Sequence, residues 1–290
     1  MSIVDTPLSL ESRLRRIYGD LSAAERKLAD VLLQRQSQVL GYTATELATL
    51  AGTSKSSAAR FFRRAGFADF EDFRQQMRSY QAEQSPLSRM GQAQRKDSLA
   101  LRFQNHLRND AQRLEAWAAA PADTHLVAAL ALLTKARKVW VLGYRHSQVT
   151  ALYARALLAQ VRADVQSLNG VAGREADVLA CAGSKDLLLA VDFRRRSAHL
   201  PRVVAAAKSQ QMKVLLITDA PLSALAMQAD VALRCGALAP DGLFDSYVCG
   251  MSLMNFLAAA LVDQGQRTTH ARLERIEHLH QVLGDLEAMP

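Results

Sequence analysis

Residues 43–67 read TATELATLAGTSKSSAARFFRRAGF and hold two short helical patterns on either side of a Gly-Thr-Ser turn. Thr43 and Glu46 have the spacing of a capping box, which begins a helix by giving partners to two free backbone N–H groups. Gly52 can adopt the left-handed backbone that ends this helix, and Ser54 is a favourable N-cap for the next one. The stretch therefore predicts two helices joined by a tight turn.

The apolar residues of both patterns recur at helical spacing and predict one buried face on each helix. On the first helix they are Leu47, Leu50 and Ala51. On the second helix they are Ala58, Phe61, Phe62 and Ala65. Gly66 ends the second helix, and Phe67 is placed to fold back on Phe62 as in a Schellman motif.

The other positions of the second helix are cationic or small and polar. They are Lys55, Ser56, Ser57, Arg60, Arg63 and Arg64. Lys and Arg neutralise phosphates, and short Ser side chains at a helix start let the backbone approach the major groove. This is the pattern of a DNA-binding helix-turn-helix. The alternative is an ordinary helical hairpin with a solvated basic face.

The composition indicates a globular, cytoplasmic protein. Its 290 residues suggest two domains, and 49% apolar against 22% charged residues exclude a disordered chain. The formal charge of +8 and a pI near 9.7 favour an anionic partner such as nucleic acid. The three cysteines predict buried free thiols rather than disulfides or a metal site. Neither a secretion signal nor a membrane span is apparent, so we expect no membrane partner.

Residues 1–80 are predicted to form an all-α domain. A short helix at 10–19 and a second capping box at Ser22 and Glu25 precede the central pair. Residues 81–123 are predicted to be a hinge and a linker helix, because 81–98 are polar with Pro and Gly and a helical pattern follows. That helix should pack on the second domain or on a second subunit. Its apolar residues include Leu101, Leu107, Leu114 and Trp117.

Residues 124–290 alternate between helical patterns and apolar strands. The strands are predicted at 138–143, 164–168, 187–191, 214–218 and 231–233. Strands this apolar, separated by helices, predict a doubly wound parallel sheet covered on both faces. The fold class is therefore α/β, with an all-α domain in front of it. Ligands of such open sheets bind beyond the carboxyl ends of the strands.

Two of these strand ends are candidate anion sites. After the first strand, Gly143 and Ser147 begin a helix, where free N–H groups and a hydroxyl can bind an anion. After the third strand comes a run of three arginines and a serine, and adjacent arginines can clamp phosphate or carboxylate in bidentate fashion. The alternatives for the arginines are a solvated loop or ion pairs with a partner subunit. Residues 218–222 form a turn placed to close over the ligand.

The sequence contains no complete catalytic or cofactor motif. A nucleophile elbow, a Walker loop, zinc-ligand spacing and a full dinucleotide fingerprint are all missing from it. His146 and His199 flank the predicted ligand loops and could act as bases near neutral pH, but spacing identifies no carboxylate partner for either. We therefore predict a protein that is not an enzyme and uses no cofactor.

The ordered set of motifs resembles the RpiR-type bacterial transcription regulators over about residues 14–262. The N-terminal carriers are Leu21-Ser22-Ala23-Ala24-Glu25-Arg26, Thr45-Glu46-Leu47-Ala48, Gly52-Thr53-Ser54, Arg60-Phe61 and Gly66-Phe67-Ala68-Asp69-Phe70. The C-terminal carriers are Gly143 to Ser147, Ser197, Ile217-Thr218-Asp219 and Pro221-Leu222 with Ala229-Asp230. The resemblance implies a helix-turn-helix joined to a sugar-isomerase-like (SIS) domain that binds phosphosugars.

In such SIS domains, Ser or Thr hydroxyls of the first two loops usually hold the sugar phosphate. Ser147 matches the first loop, but Arg145 replaces a usual glycine. In the second loop a Ser-x-Ser-Gly-x-Thr run is expected, and of residues 192–197 only Ser197 is retained. The departures favour an acidic ligand such as a sugar-acid phosphate or another small carboxylate.

We therefore predict a homodimeric or homotetrameric regulator that binds double-stranded operator DNA and senses a small anionic metabolite. The alternative is a sugar-phosphate isomerase-like enzyme with a helical N-terminal appendage. The predicted DNA-binding residues are Thr45, Ser54, Lys55, Ser56, Ser57, Arg60, Arg63 and Arg64. The predicted ligand-binding residues are Gly143, Arg145, Ser147, Arg194, Arg195, Arg196 and Ser197.

Overall fold

A computed structural model describes residues 10–34, 39–83, 90, 97–119, 124–169, 173, 175–220, 223–236 and 244–285. The chain divides into two compact units. The first comprises Met1–Arg113, Ala220–Gln228 and Ala237–Ser246, and the second comprises Leu114–Asp219, Ala229–Gly236 and Tyr247–Pro290. Most of the predicted hinge at 81–98, and Pro221 and Leu222 of the predicted closing turn, lie outside the described residues. The predicted boundaries 1–80, 81–123 and 124–290 stay a prediction.

Helices build the first unit. They are α1 (Leu10–Ile17), α2 (Ala23–Gln34), α3 (Ala44–Leu50), α4 (Lys55–Arg64) and α5 (Phe70–Glu83), with 3-10 turns at Tyr18–Asp20 and Val39–Gly41. Both predicted capping boxes are present: Thr43 and Glu46 at the start of α3, and Ser22 and Glu25 at the start of α2. Sequence spacing was sufficient to predict them because each box is satisfied within four consecutive residues.

The turn between α3 and α4 has the geometry that the glycine predicts. Gly52 has φ +59° and Gly66 has φ +84°, the left-handed region at both helix ends. The Phe67 N–H donates to the Phe62 carbonyl at 2.9 Å, which is the long bond of a Schellman motif. This closing bond turns the chain back from α4 towards α5.

The core of the first unit follows the predicted apolar faces with one exception. Ala58, Phe61, Phe62 and Ala65 on α4 are buried, and so are Leu47, Ala48 and Ala51. Phe67 and Phe73 are fully enclosed and their rings meet edge to face at 5.1 Å. The prediction for Leu50 is wrong, because its side chain is 43% exposed at the last residue of α3.

The second unit contains five parallel strands: β1 (Val139–Gly143), β2 (Val165–Ser167), β3 (Leu187–Asp192), β4 (Lys213–Thr218) and β5 (Val231–Arg234). Their order is β2-β1-β3-β4-β5. Val139 pairs with Val165 on one side and with Leu187 on the other. β1 and β3 are buried along their whole length, which agrees with the predicted apolar runs.

Seven further helices follow α6 (Leu99–Ala118) among the described residues. They are α7 (Leu126–Lys135), α8 (Ser147–Val161), α9 (Glu175–Leu179), α10 (Leu200–Ser209), α11 (Ala224–Gln228), α12 (Val248–Gln264) and α13 (Gln266–Leu283). α12 packs on α8, and both contribute to the core under the sheet. On α6, Leu114 and Trp117 pack against this core, whereas Leu101 and Leu107 are exposed. The predicted doubly wound class is confirmed.

The cysteines are all free, but not all are buried. Cys235 and Cys249 are enclosed, whereas Cys181 is exposed just after α9, so the prediction of a buried thiol is wrong there. In the described part of the chain, no single helix is long and apolar enough to cross a membrane. The helices α12 and α13 reach that length and apolar content only when they are counted together across the sharp bend between them.

Candidate functional site

The outer face of α4 presents most of the residues predicted to bind DNA. Ser54, Lys55, Ser56, Arg60 and Arg63 are exposed, opposite the buried phenylalanines. Ser54 caps the helix by accepting a hydrogen bond from the Ser57 N–H at 3.1 Å. The cap fixes the helix start, so the hydroxyls and cations that follow it project from a rigid element. Thr45 is also exposed, on the preceding helix α3.

Arg64 differs from the other cations of α4 because it has an ion-pair partner within the unit. Its Nη1 lies 3.4 Å from Oε2 of Glu25, a carboxylate with only 11% of its side chain exposed. The hydrogen bond from the Ser22 N–H, helped by the nearby arginines, holds the pKa of Glu25 below its ordinary value despite burial. Arg64 therefore joins α4 to the start of α2 while 45% of its own side chain remains accessible.

The loop after β1 is packed tightly against α8. A Cβ added to Gly143 would lie 2.4 Å from the Ser147 carbonyl oxygen, so only glycine fits at this strand end. The Ser147 side chain is buried, and its Oγ accepts a hydrogen bond from the Phe193 N–H at 3.1 Å. The N–H groups of Ser147, Gln148 and Val149 donate to the carbonyls of residues 144–146 at 3.1 Å. The amides expected to be free at this helix start are thus already engaged.

In the loop after β3, two carboxylates hold one of the three arginines. Arg196 Nε lies 3.2 Å from Asp192 Oδ2, and its Nη2 forms a short ion pair with Asp219 Oδ1. Asp219 also accepts from the Arg194 N–H at 3.0 Å. Burial raises the pKa of Asp192 to about 7; Arg196 opposes that rise and the charge of Asp219 adds to it. Arg196 is therefore largely neutralised by its own chain.

Arg145 and Arg195 stand apart by their backbone conformation. Arg145 has φ +56° and Arg195 has φ +62°, in the left-handed region that favours glycine. Arg145 is exposed and Arg195 is half-buried. Ser197, also half-buried, accepts a hydrogen bond from the His199 N–H at 3.2 Å. The structure thus brings the two predicted loops to one edge of the sheet, joined by the contact between Ser147 and Phe193.

A cluster of Tyr144, Glu175 and His199 lies at the same edge and was not predicted as a group. The Tyr144 hydroxyl donates to Glu175 Oε1 at 2.8 Å, and His199 Nε2 lies 3.7 Å from that oxygen. Burial, and then the bond to Glu175, raises the pKa of Tyr144. Burial opposes ionisation of Glu175, but hydrogen bonds from its own backbone and from Tyr144 lower its pKa. His199 therefore has the carboxylate partner that spacing did not reveal.

Comparisons with known proteins agree with this architecture. Residues 8–84 match the helix-turn-helix domain of the rpiR family, and residues 132–260 match the SIS domain. A chain with these two domains in this order is a helix-turn-helix transcription regulator with a domain that binds sugar derivatives. The chain belongs to the RpiR family of such regulators.

Solved structures support the fold in both halves. The NanR protein of Vibrio vulnificus, solved with ManNAc-6P, is similar over 95% of this chain and 99% of its own, at 18% identity and a TM-score of 0.57. The sugar isomerase domain of an RpiR transcription factor from Sphaerobacter thermophilus covers 63% of this chain and 99% of its own, at 22% identity and a TM-score of 0.55.

An enzyme-like structure is also similar. A putative sugar-phosphate isomerase from Listeria monocytogenes covers 61% of this chain and 96% of its own, at 14% identity and a TM-score of 0.51. At these identities the similarity shows the fold alone. No curated protein matches the sequence.

Proposed function

We propose that this regulator inserts α4 into the major groove of its operator and releases or engages DNA when its SIS domain binds a small anionic metabolite. The observation that carries the proposal is that α4 has one buried face and one exposed, cationic face. One face is locked into the core by Phe61 and Phe62, and the opposite face leaves Lys55, Ser56 and Arg60 exposed. A helix with one buried face and one cationic, accessible face is the form in which recognition helices are presented to DNA.

Two kinds of contact are proposed for this face. Lys55, Ser56, Ser57 and Arg60 face the groove, with Ser54 and Thr45 at its margin. Arg63 and Arg64 contact phosphates, which set position without reading sequence. Arg64 also pairs with Glu25, so its guanidinium is oriented before DNA arrives.

The proposed effector is a sugar phosphate, a sugar acid or a similar carboxylate. It binds at the sheet edge formed by Gly143, Arg145 and Ser147 together with residues 194–197. The regulator acts as a homodimer or homotetramer, and a two-fold protein recognises a palindromic operator. Effector binding changes operator affinity only if it interacts differently with the DNA-bound and free arrangements of the domains.

Fluorescence anisotropy tests the DNA-binding part. Labelled duplexes tiled across the region upstream of the regulator's own gene are titrated with the full chain, against scrambled duplexes of equal length and composition. We expect one duplex to bind at least tenfold more tightly than its scrambled control, with affinity that falls as salt rises. Equal affinity for all duplexes here and at other candidate sites would contradict the proposal.

The rival function is a sugar-phosphate isomerase, and one specific observation favours it. Glu175 Oε1 and His199 Nε2 lie 3.7 Å apart, and the Tyr144 hydroxyl donates to Glu175. A carboxylate or an imidazole can act as the base that moves a proton between adjacent carbons. Aldose and ketose phosphates are incubated with the wild-type chain and with Glu175→Gln. Turnover by the wild type that is lost in Glu175→Gln would establish an isomerase activity. An absence of turnover in both proteins would favour a regulator without that activity.

A further inference from the structure

Two arginines occupy backbone positions where a side chain is unfavourable. Among the described residues other than glycine, positive φ occurs at Arg145, Asp164, Arg195 and Gln211. Asp164 and Gln211 lie in turns that precede strands, whereas Arg145 and Arg195 follow strands β1 and β3. Such strain persists where the surrounding structure enforces it, and it concentrates at sites that bind ligands.

Among the described residues, the same two arginines have no polar partner at this sheet edge. Neither guanidinium has a hydrogen bond or an ion pair with any residue that the structure describes, whereas Arg196 is held between Asp192 and Asp219. The first amides of α8 already donate to turn carbonyls, and the Ser147 side chain is buried with its Oγ accepting from the Phe193 N–H. Within the described part of this edge, the positive charge available to an anion therefore resides chiefly in Arg145 and Arg195.

The topology places these arginines on neighbouring loops. β1 and β3 are adjacent and parallel, with Gly143 paired to Val191, so both loops leave the same edge of the sheet. The bond between Ser147 and the Phe193 N–H ties the loops together, and the Tyr144 and His199 rings meet at 5.2 Å. Two like charges held at one edge repel each other, and a bound anion removes that repulsion.

We propose that Arg145 and Arg195 each bind one acidic group of a metabolite that carries two, a phosphate and a carboxylate. Each guanidinium presents a planar fork that matches either group in bidentate fashion. Two such forks on adjacent loops can therefore each take one acidic group of the same small molecule. A sugar phosphate without a carboxylate would offer only hydroxyl groups to the second arginine. This inference rests on the proposed function of the SIS domain and narrows its effector class.

Glycine substitutions separate this role from a structural one. Arg145→Gly and Arg195→Gly relieve the backbone strain, so without ligand we expect the melting temperature of each variant to stay level or rise by about 2–4 °C. Gln211→Gly is the matched control, since Gln211 has φ +63° in the turn before β4, away from the loops. A structural role for either arginine predicts the opposite, a lower melting temperature in the variant.

The ligand experiment uses two open-chain probes, 6-phosphogluconate and glucitol 6-phosphate, which differ at C1 by a carboxylate in place of a hydroxymethyl group. Isothermal titration should show the wild type binding 6-phosphogluconate at least tenfold more tightly. Each arginine variant should lose about 10- to 100-fold for that compound, as for removal of a charge-assisted bond, while Gln211→Gly binds like the wild type.

Two outcomes would overturn the inference, and they are distinguishable. If both probes bind the wild type equally and the arginine variants match it, the two-acid class is wrong while anion sensing by the SIS domain stands. If neither probe nor inorganic phosphate binds the wild type or alters its operator affinity, the anion-sensing proposal itself fails.

Discussion

Asp192 should make the stability of the second unit decrease as pH rises. It lies at the end of β3 with 4% of its surface exposed, and burial raises its pKa from 3.8 to about 7. Between these values the folded chain keeps a proton that the unfolded chain has lost, so the free energy of unfolding falls as pH increases through this window. At 1.36 kcal/mol per pKa unit, the full effect is about 4 kcal/mol.

Asp192→Asn removes the ionisable group with little change of shape. We expect the free energy of unfolding of the variant to match that of the wild type at about pH 4. At about pH 8, where the wild-type carboxylate is charged, the variant should be more stable by up to about 4 kcal/mol. Urea unfolding followed by tryptophan fluorescence measures the difference. The chain has 2 tryptophans, Trp117 and Trp140, and both belong to the second unit, so the signal reports this unit.

Asp230→Asn is the control, because it should change the free energy of unfolding in the opposite direction. Asp230 accepts bonds from Lys208, Lys213 and the Val214 N–H, which lower its pKa although burial opposes them. Its stabilising contribution is present above its unfolded pKa and is lost on acidification, so this variant should be destabilised most at high pH. If the difference between Asp192→Asn and the wild type is constant across the pH range, the reasoning from burial is refuted.

The remaining predictions concern DNA binding and packing. Arg60→Ala should lose about 1–3 kcal/mol of discrimination between operator and scrambled DNA in anisotropy titrations. Arg64→Ala should weaken binding to all duplexes alike and reduce the slope of log affinity against log salt concentration by about one. Identical behaviour of the two variants would contradict their separate roles. Phe62→Ala should destabilise the first unit by about 3–5 kcal/mol, as followed by circular dichroism, because the ring is fully buried against Phe61, Phe70 and Phe73. Gly143→Ala should destabilise the second unit by about 1–3 kcal/mol in urea because the new methyl meets the backbone of Ser147, whereas Gly183→Ala, with open space around it, should be nearly neutral.

The elements that sequence predicted well are those specified by nearby residues. Both capping boxes, the glycine at the α3–α4 turn and the Schellman closure after α4 involve residues at most five positions apart. The apolar runs of β1 and β3 likewise carry their own burial signal. Leu50 was misassigned because the buried face of α3 runs through Leu47, Ala48 and Ala51, which leaves Leu50 to one side of it.

The site was harder to predict because its partners come from different strands. The pairing of Arg196 with Asp192 and Asp219 requires that β3 and β4 be neighbours, and the residues span two loops. The partnership of His199 with Glu175 has no spacing signature at all. Sequence could name the three arginines but could not show that Arg196 is held between Asp192 and Asp219.

The strand order β2-β1-β3-β4-β5 has a consequence for how such a sensor changes its effector. From β1 the sheet continues to β2 on one side, and from β3 it continues to β4 and β5 on the other, so the direction of winding changes between β1 and β3. Open sheets of this kind bind ligands at such a point. Arg145 and Arg195 follow these two strands and lie outside the hydrophobic core, so replacing them should leave the core packing unchanged. If the two arginines bind the effector as proposed, single replacements at these positions should change which metabolite is bound without loss of the fold.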